Sequence, residues 1–209
     1  MTMTPDNNRQ QHVPSSPLVV KVGGSLSLNI REIIPALLAS PRTLLIVPGG
    51  GKFADAIRRL AVHDDPAHWM AIAAMEQYGW MLASYGVPTT DILANPEMTS
   101  VFLPYSTMRQ SDPLPHSWNV TSDTIAAWVA KTLDTDLLIL KSVDGIMVRG
   151  IFQDHLTGPV ESDSVDSCFI PFVLKSNVST MILNGTHRER VERFLAGEQV
   201  LGTRIGTTF

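Results

Sequence analysis

From Pro17 onward, short apolar runs alternate with longer stretches in which apolar residues recur every three or four positions. The short runs read as buried strands and the periodic stretches as amphipathic helices. Their order predicts parallel strands joined by helices covering both faces of a sheet. Leu18–Val22 is expected to be a buried strand, residues 28–38 a helix, 43–47 a second strand and 52–62 a second helix. Trp69, Ile72, Ala73, Met75, Tyr78 and Leu82 at helical spacing predict a long helix over residues 67–85, with Gly86 placed to end it. An apolar helix face of this kind packs in a core or against another subunit.

The stretch 89–115 contains Pro96, Pro104, Pro113 and Pro115, with Pro88 just before it. Prolines remove backbone donors, so short strands and loops are expected there rather than long helices, with room for a variable substrate loop. Periodicity returns at Ser122–Leu133, a helix that Thr121 or Ser122 could cap. A strand at 136–140, a polar turn-rich segment at 150–163, a short helix at 165–175 and a strand at 180–183 ending in Asn184-Gly185 come next. A helix at Arg188–Leu195 and a strand near 200–205 complete the pattern, with no internal repeat.

Composition narrows the class. With 209 residues, 44% hydrophobic and 17% charged, the chain suits one globular domain over residues 17–209 behind a polar tail, residues 1–16, expected to be disordered. The net charge of -4 and the lack of a basic run argue against nucleic-acid binding. The one cysteine, Cys168, cannot form an internal disulfide and suits a reducing, cytoplasmic setting. No stretch approaches the ~20 apolar residues of a membrane span, and the first residues lack the apolar middle of an export signal.

Two of the expected strands end in glycine clusters that open helices, VVKVGGSL and LLIVPGGGKFAD. Such turns let backbone N–H groups approach an anion, and a helix N-terminus adds about half a positive charge. Two adjacent cradles suggest two phosphate-bearing ligands. Neither is a Walker loop, because GGGKF lacks the spacing and the hydroxyl residue after lysine. Gly49, Gly51 and Ala54 also satisfy a loose dinucleotide pattern, and plain tight turns would need no ligand. Lys21 bears on that choice: it lies within an apolar strand two residues before the first glycine pair, where a buried ammonium needs an anion. Asp123 is a carboxylate in the first turn of an apolar helix, which helix-end electrostatics alone would also explain. Lys141 ends a strand before a turn with Asp144 and Gly145, and Lys175 precedes the penultimate strand. His63 and His68 around Asp64 and Asp65 read as loop and helix-start residues rather than a metal centre; His116, beside Trp118 and Asn119, is the histidine expected near a site.

Taken in order, VVKVGGSL, LLIVPGGGKFAD, WNVTSDTIAAWVA and LLILKSVDGI resemble the amino acid kinase superfamily. More narrowly, AHWMAIAAMEQYG, LPHSWNVTSDTIAAWVAK, VDSCF and MILNGTHRERVERFLAG resemble the kinases of methanofuran-type cofactor biosynthesis that act on 5-(aminomethyl)furan-3-ylmethyl phosphate. The resemblance implies a three-layer α/β/α sandwich around a mostly parallel sheet, with ATP and a small phosphate acceptor meeting over the strand ends, and Mg2+ on the nucleotide. Position by position it implies catalytic roles for Lys21, Asp123 and Lys175. Gly23, Gly24, Asp144 and Gly145 would hold the transferring phosphoryl group and nucleotide, with Lys141, a departure from the pattern, adding a phosphate contact or altering nucleotide preference, and Gly49, Gly50, Gly51 and Asn119 would hold the acceptor. It implies no protein metal ligand; Asp123 would orient lysines.

Three features depart from the family pattern: Lys141 where many relatives carry a small hydroxyl residue, Lys52 where the furan kinases often carry an acid, and a short nucleotide segment at 149–163. Kinases of nucleoside monophosphates or isoprenoid phosphates, and a non-catalytic nucleotide or oxyanion binder, are the alternatives. An aminomethyl group would need an anionic partner such as Asp91, Glu97 or Asp112. Trp69, Met70 and Trp80 on the long helix suggest a homo-oligomer.

Overall fold

The structure is a computed structural model that describes residues 16–206. The expected tail therefore falls, up to residue 15, outside the described residues. The strands are β1 (Leu18–Val22), β2 (Leu44–Pro48), β3 (Thr89–Thr90), β4 (Ser100–Phe102), β5 (Asp136–Lys141), β6 (Ile146–Val148), β7 (Ile151–Gln153), β8 (His155–Leu156), β9 (Thr180–Asn184) and β10 (Thr203–Ile205). The helices are α1 (Ile30–Leu38), α2 (Gly51–Arg59), α3 (Asp64–Ala83), α4 (Tyr105–Ser111), α5 (Ser122–Leu133), α6 (Phe169–Ser176) and α7 (Arg188–Leu195).

Eight strands form one sheet in the order β3-β4-β2-β1-β5-β9-β10-β8. All neighbours from β3 to β9 are parallel, β10 runs antiparallel to β9, and β8 is parallel to β10. β6 and β7 form a separate antiparallel hairpin. Side-chain alternation sends Val19, Leu45, Val47, Leu137 and Ile139 to one face, packed with α5 and α6, and Leu18, Val20, Val22, Leu138 and Leu140 to the other, packed with α1 and α7. The α/β/α layering expected from the sequence is what forms.

The long helix α3 serves both cores, with Ile72 and Met75 in the first and Tyr78 and Leu82 in the second. It ends at Ala83, two residues before the expected end, with Ser84 as its C-cap, and Gly86, at φ +93°, closes the following turn by donating its N–H to Ala83 O. Three parts of the fold were not legible: α4, the β6–β7 hairpin and the edge strand β8, which lies in the segment expected to be turns. α4 fits between Pro104 at its N-cap and Pro113 just beyond it. The β6–β7 hairpin turns on Arg149-Gly150, both at positive φ. Asn-Gly is the usual signal for such a turn, and arginine gives none.

Candidate functional site

In a parallel sheet the C-terminal strand ends share one edge, and here β1, β2, β5 and β9 deliver their following turns to it. Lys21 continues the face of Val19, and Lys141 continues the face of Leu137 and Ile139, so both lysines emerge beneath α5. The first turn of α5 supplies Asp123 between them. Lys21 Nζ lies 2.7 Å from Asp123 Oδ1, and Lys141 Nζ donates to Oδ2 at 2.6 Å. Lys21 is 4% exposed and Asp123 3%. Burial alone would raise the Asp123 carboxyl, but the Lys21 and Lys141 ammonium groups outweigh it and hold Asp123 below the ordinary aspartate range. Lys141 is pushed below the ordinary lysine range by burial and by the charge of Lys21, against the pull of Asp123. Two cations on one carboxylate leave one net positive charge at the strand ends.

The two glycine turns are in backbone contact. A β-carbon on Gly24 would stand 2.2 Å from Gly51 Cα, and one on Gly49 would stand 2.8 Å from Gly24 N, so only glycine allows this approach. The Tyr78 hydroxyl, fully buried, donates to Gly23 O at 3.1 Å and braces the first turn from α3. The second turn opens α2 at Gly51, whose leading N–H groups have no partner within their own helix. Gly23, Gly24, Gly50, Gly51, Lys21 and Lys141 line one end of a cleft of about 780 Å3.

The other end lies between α2, the start of α3 and the 116–122 segment. Ala67, Ala71, Ile72 and Met75 of α3 form an apolar wall with Val120 and Ile125, and Trp118 and Leu28 stand at the rim. The Arg58 guanidinium lies 4.6 Å over the Trp118 ring. His116 also lines the cleft; its Nδ1 and Nε2 lie 2.6 and 2.7 Å from carboxylate oxygens of Asp65 and Asp112, whose hydrogen bonds raise its pKa. His68 stacks on His116 at 4.1 Å, and burial together with the charge of His116 lowers its pKa. His68, Asp112 and His116 thus come within 4.8 Å of one another, a grouping the sequence did not reveal. The two rings lie 17° from parallel, and both nitrogens of His116 are within ion-pair distance of carboxylates.

Lys21, Asp123, Lys141 and the glycine turns are thus brought together. Lys175 is not. It is exposed in the last turn of α6, and the chain from there enters the N-terminal end of β9, the edge opposite the cluster. Asn119 sits in the turn beside the cleft without lining it; its N–H donates to Ser117 Oγ and its carbonyl accepts from Cys168 N–H. Asp144 accepts from Arg190 and from Asn184 Nδ2, both at the C-terminal end of β9 or just beyond, which places it on the lysine edge outside the cleft. Gly145 packs against Thr203, where a β-carbon would stand 2.3 Å from Thr203 Oγ1. Asp91 and Glu97 are exposed and do not line the cleft. The sequence reading missed Asn184 and Arg190, which only the β5–β9 pairing sets beside Asp144, and Asp166. The expected capping of α5 by Thr121 or Ser122 is also not made; Asp166 bonds that helix start instead.

This sheet order and strand-end cluster define a protein with the amino acid kinase fold. Among solved structures, the uridylate kinase of Archaeoglobus fulgidus superposes with a TM-score of 0.65 at 21% identity, covering 90% of this chain and 99% of that one. A UMP kinase of Bacillus anthracis gives 0.66 at 15% identity over 92% and 96%, and an isopentenyl phosphate kinase 0.63 at 17% over 90% and 100%. No family model matches the chain. Among curated proteins, the chain is 30% identical over 212 residues to the 5-(aminomethyl)furan-3-ylmethyl phosphate kinase of Methanocaldococcus jannaschii, covering 90% of this chain and 96% of that protein. It belongs to the family of that kinase. No helix among the described residues is long and apolar enough to cross a membrane.

Proposed function

We propose that the protein transfers the γ-phosphoryl group of ATP to the phosphate of a small monoester, 5-(aminomethyl)furan-3-ylmethyl phosphate, giving the diphosphate and ADP. The observation that carries this reading is the pair Lys21 and Lys141 held on the two oxygens of Asp123, beside glycine turns whose backbones touch. An acceptor phosphate oxygen forms a bond to the γ-phosphorus as the bond from that phosphorus to the β–γ bridging oxygen breaks. A phosphate dianion is already a nucleophile at neutral pH, so no general base is needed, and positioning with charge stabilisation carries the step. Lys21 and Lys141 stabilise charge on the transferring group. Asp123 keeps two like charges at working distance, where they would otherwise repel.

The second lysine in this reading is Lys141 rather than Lys175, because the former shares Asp123. The Gly23-Gly24 turn sits on the phosphoryl path, and Gly50 and Gly51 receive the acceptor phosphate, while Gly49, which does not line the cleft and donates its N–H to Val22 O, shapes the turn. Asn119 orders the turn beside the acceptor through its backbone. The apolar wall of α3 with Trp118 suits a ring, and Asp112 acts at the acceptor end through His116. Asp144 and Gly145, with Asn184 and Arg190, border the nucleotide. Both oxygens of Asp123 are engaged by lysines, and the carboxylates lining the cleft, Asp55 and Asp64, belong to α2 and α3. This donor set fits a magnesium ion held through phosphate oxygens and water. Mg2+, when bound, neutralises charge on the nucleotide phosphates. Exposed Met70 and Trp80 on α3 support a homo-oligomer, and the single free cysteine supports a cytoplasmic setting.

The test is ADP release from Mg-ATP with the purified protein and four acceptors: the furan phosphate, its unphosphorylated alcohol, UMP and isopentenyl phosphate. Turnover confined to the furan phosphate is expected. Preference for UMP or isopentenyl phosphate would move the protein to the activities named for its structural neighbours. Nucleotide binding without turnover on any of them would favour a non-catalytic binder.

A further inference from the structure

The segment Val165-Asp166-Ser167-Cys168, between the β6–β8 region and α6, takes no part in the chemistry above, yet it grips the piece of chain that carries Asp123. Asp166 Oδ2 accepts from Thr121 N–H at 2.9 Å, from the Thr121 hydroxyl at 2.8 Å and from Thr124 N–H at 3.1 Å, while Oδ1 accepts from the Thr124 hydroxyl at 2.5 Å. Two residues later, Cys168 N–H donates to Asn119 O at 3.2 Å. The first-turn N–H groups of a helix lack intrahelical partners, and at α5 no side chain of the N-cap residue supplies one. A carboxylate 42 to 45 positions away does so instead. These bonds bracket Asp123 from both sides, at residues 121 and 124.

We propose that Asp166 is a positioning residue for phosphoryl transfer: by fastening the start of α5 it fixes the Asp123 carboxylate so that each oxygen meets one lysine. The geometry demands such a clamp. Asp123 reaches Lys21 and Lys141 at 2.7 and 2.6 Å, and both come from strands already set by the sheet, so a slide or rotation of α5 by a fraction of a turn would break one contact. Asp166 is also close enough to influence the charges it positions: it favours the protonated form of Lys141 and is itself raised first by burial and then by Asp123. The inference deepens the kinase reading and rests on it for its kinetic consequence.

The test compares Asp166→Ala with Asp166→Asn, whose amide oxygen can still accept from the Thr121 and Thr124 N–H groups. Asp166→Ala is expected to lower kcat by about 10- to 100-fold, the scale of a small misplacement at a reacting centre, with KM values for both substrates within about threefold. Asp166→Asn should recover most of the loss. In an Asp123→Asn background, Asp166→Ala should cost nothing more, because its effect passes through Asp123. A purely structural role would instead lower activity equally in both backgrounds. Equal losses in both backgrounds, or Asp166→Ala turnover within about twofold of the unmodified protein, would overturn the proposal. Should Asp166→Ala not fold, Thr124→Val removes one of the four donors and poses the same question at smaller amplitude. A substrate-free reading comes from the 15N signals of the Lys21 and Lys141 ammonium groups, protected from exchange while both sit on Asp123. These signals should vanish in Asp166→Ala and weaken in Thr124→Val, and their full persistence in either variant would sink the idea. If the unmodified protein turned over no acceptor, the kinase reading would fail while the ammonium signals still decided the role of Asp166.

Discussion

At the strand-end side of the cleft the lysine charges meet one carboxylate at close range and glycine backbones touch, whereas at the α3 side the charges stand at the rim. Asp123 is 3% exposed between its lysines; the side chains of Asp65 and Asp112, which hold His116, are 74% and 55% exposed. The first arrangement is built from backbone and buried charge, so removing one partner strands another in a low-dielectric setting. The second is built from helix and loop side chains whose carboxylates are screened by water, where each pair contributes little. One end is therefore suited to a fixed chemical step, and the other to adjustment of what is bound.

The comparison breaks most directly at Lys21. Lys21→Ala should lower kcat by about 10²–10³-fold, as removal of a charge-stabilising donor does, while circular dichroism shows an intact fold. Near-normal turnover would remove this lysine from the chemistry. The next largest effect separates the two candidate second lysines: Lys141→Ala should cost at least about tenfold in kcat, while Lys175→Ala stays within about twofold. The reverse ranking would return the role to the α6 lysine.

Backbone contact gives a stability version of the contrast. Gly24→Ala forces a β-carbon to 2.2 Å from Gly51 Cα and should cost about 1–3 kcal/mol in denaturant unfolding. Gly158→Ala, with nothing within 4 Å, should stay within about 0.5 kcal/mol. The lysine cluster also titrates. Since Lys141 is displaced downward from the ordinary 10.5, the pH–rate profile should lose activity on its alkaline side below that value, as rising pH removes the proton. Lys141→Arg, if active, should carry the plateau further. The smallest effect belongs to the rim: His116→Gln should raise the acceptor KM by about 3- to 10-fold with kcat nearly unchanged. A large kcat loss there would mean that the two ends are not separable.

Much of this was legible along the chain. β1, β2 and β5 are short, largely apolar runs, and α5 and α7 repeat at helical spacing between turn residues, so local pattern sufficed for them. The glycine turns and Lys21 stood out because a charge inside an apolar strand asks for a partner. Which lysine completes the pair was hidden, because a strand buried on both faces shows no alternation. Only the helices covering each face reveal that Lys21 and Lys141 point the same way. The β6–β7 hairpin and α4 were missed for local reasons, an arginine at a positive-φ turn and prolines on both sides of a short helix.

The sequence by itself determined the order of strands and helices, the two glycine turns at strand ends and the presence of charged residues too apolar in context to be idle. These depend on neighbours within a few residues, where backbone sterics and periodic burial act. Tertiary structure decided the pairing of Lys21 and Lys141 on Asp123, the backbone contact of Gly24 with Gly51, the stacking of His68 on His116 and the clamp of Asp166 on α5. Each joins segments 18 to 102 residues apart. Such contacts form only when parallel strands lie side by side and bring distant turns to one edge, a relation that local sequence does not encode.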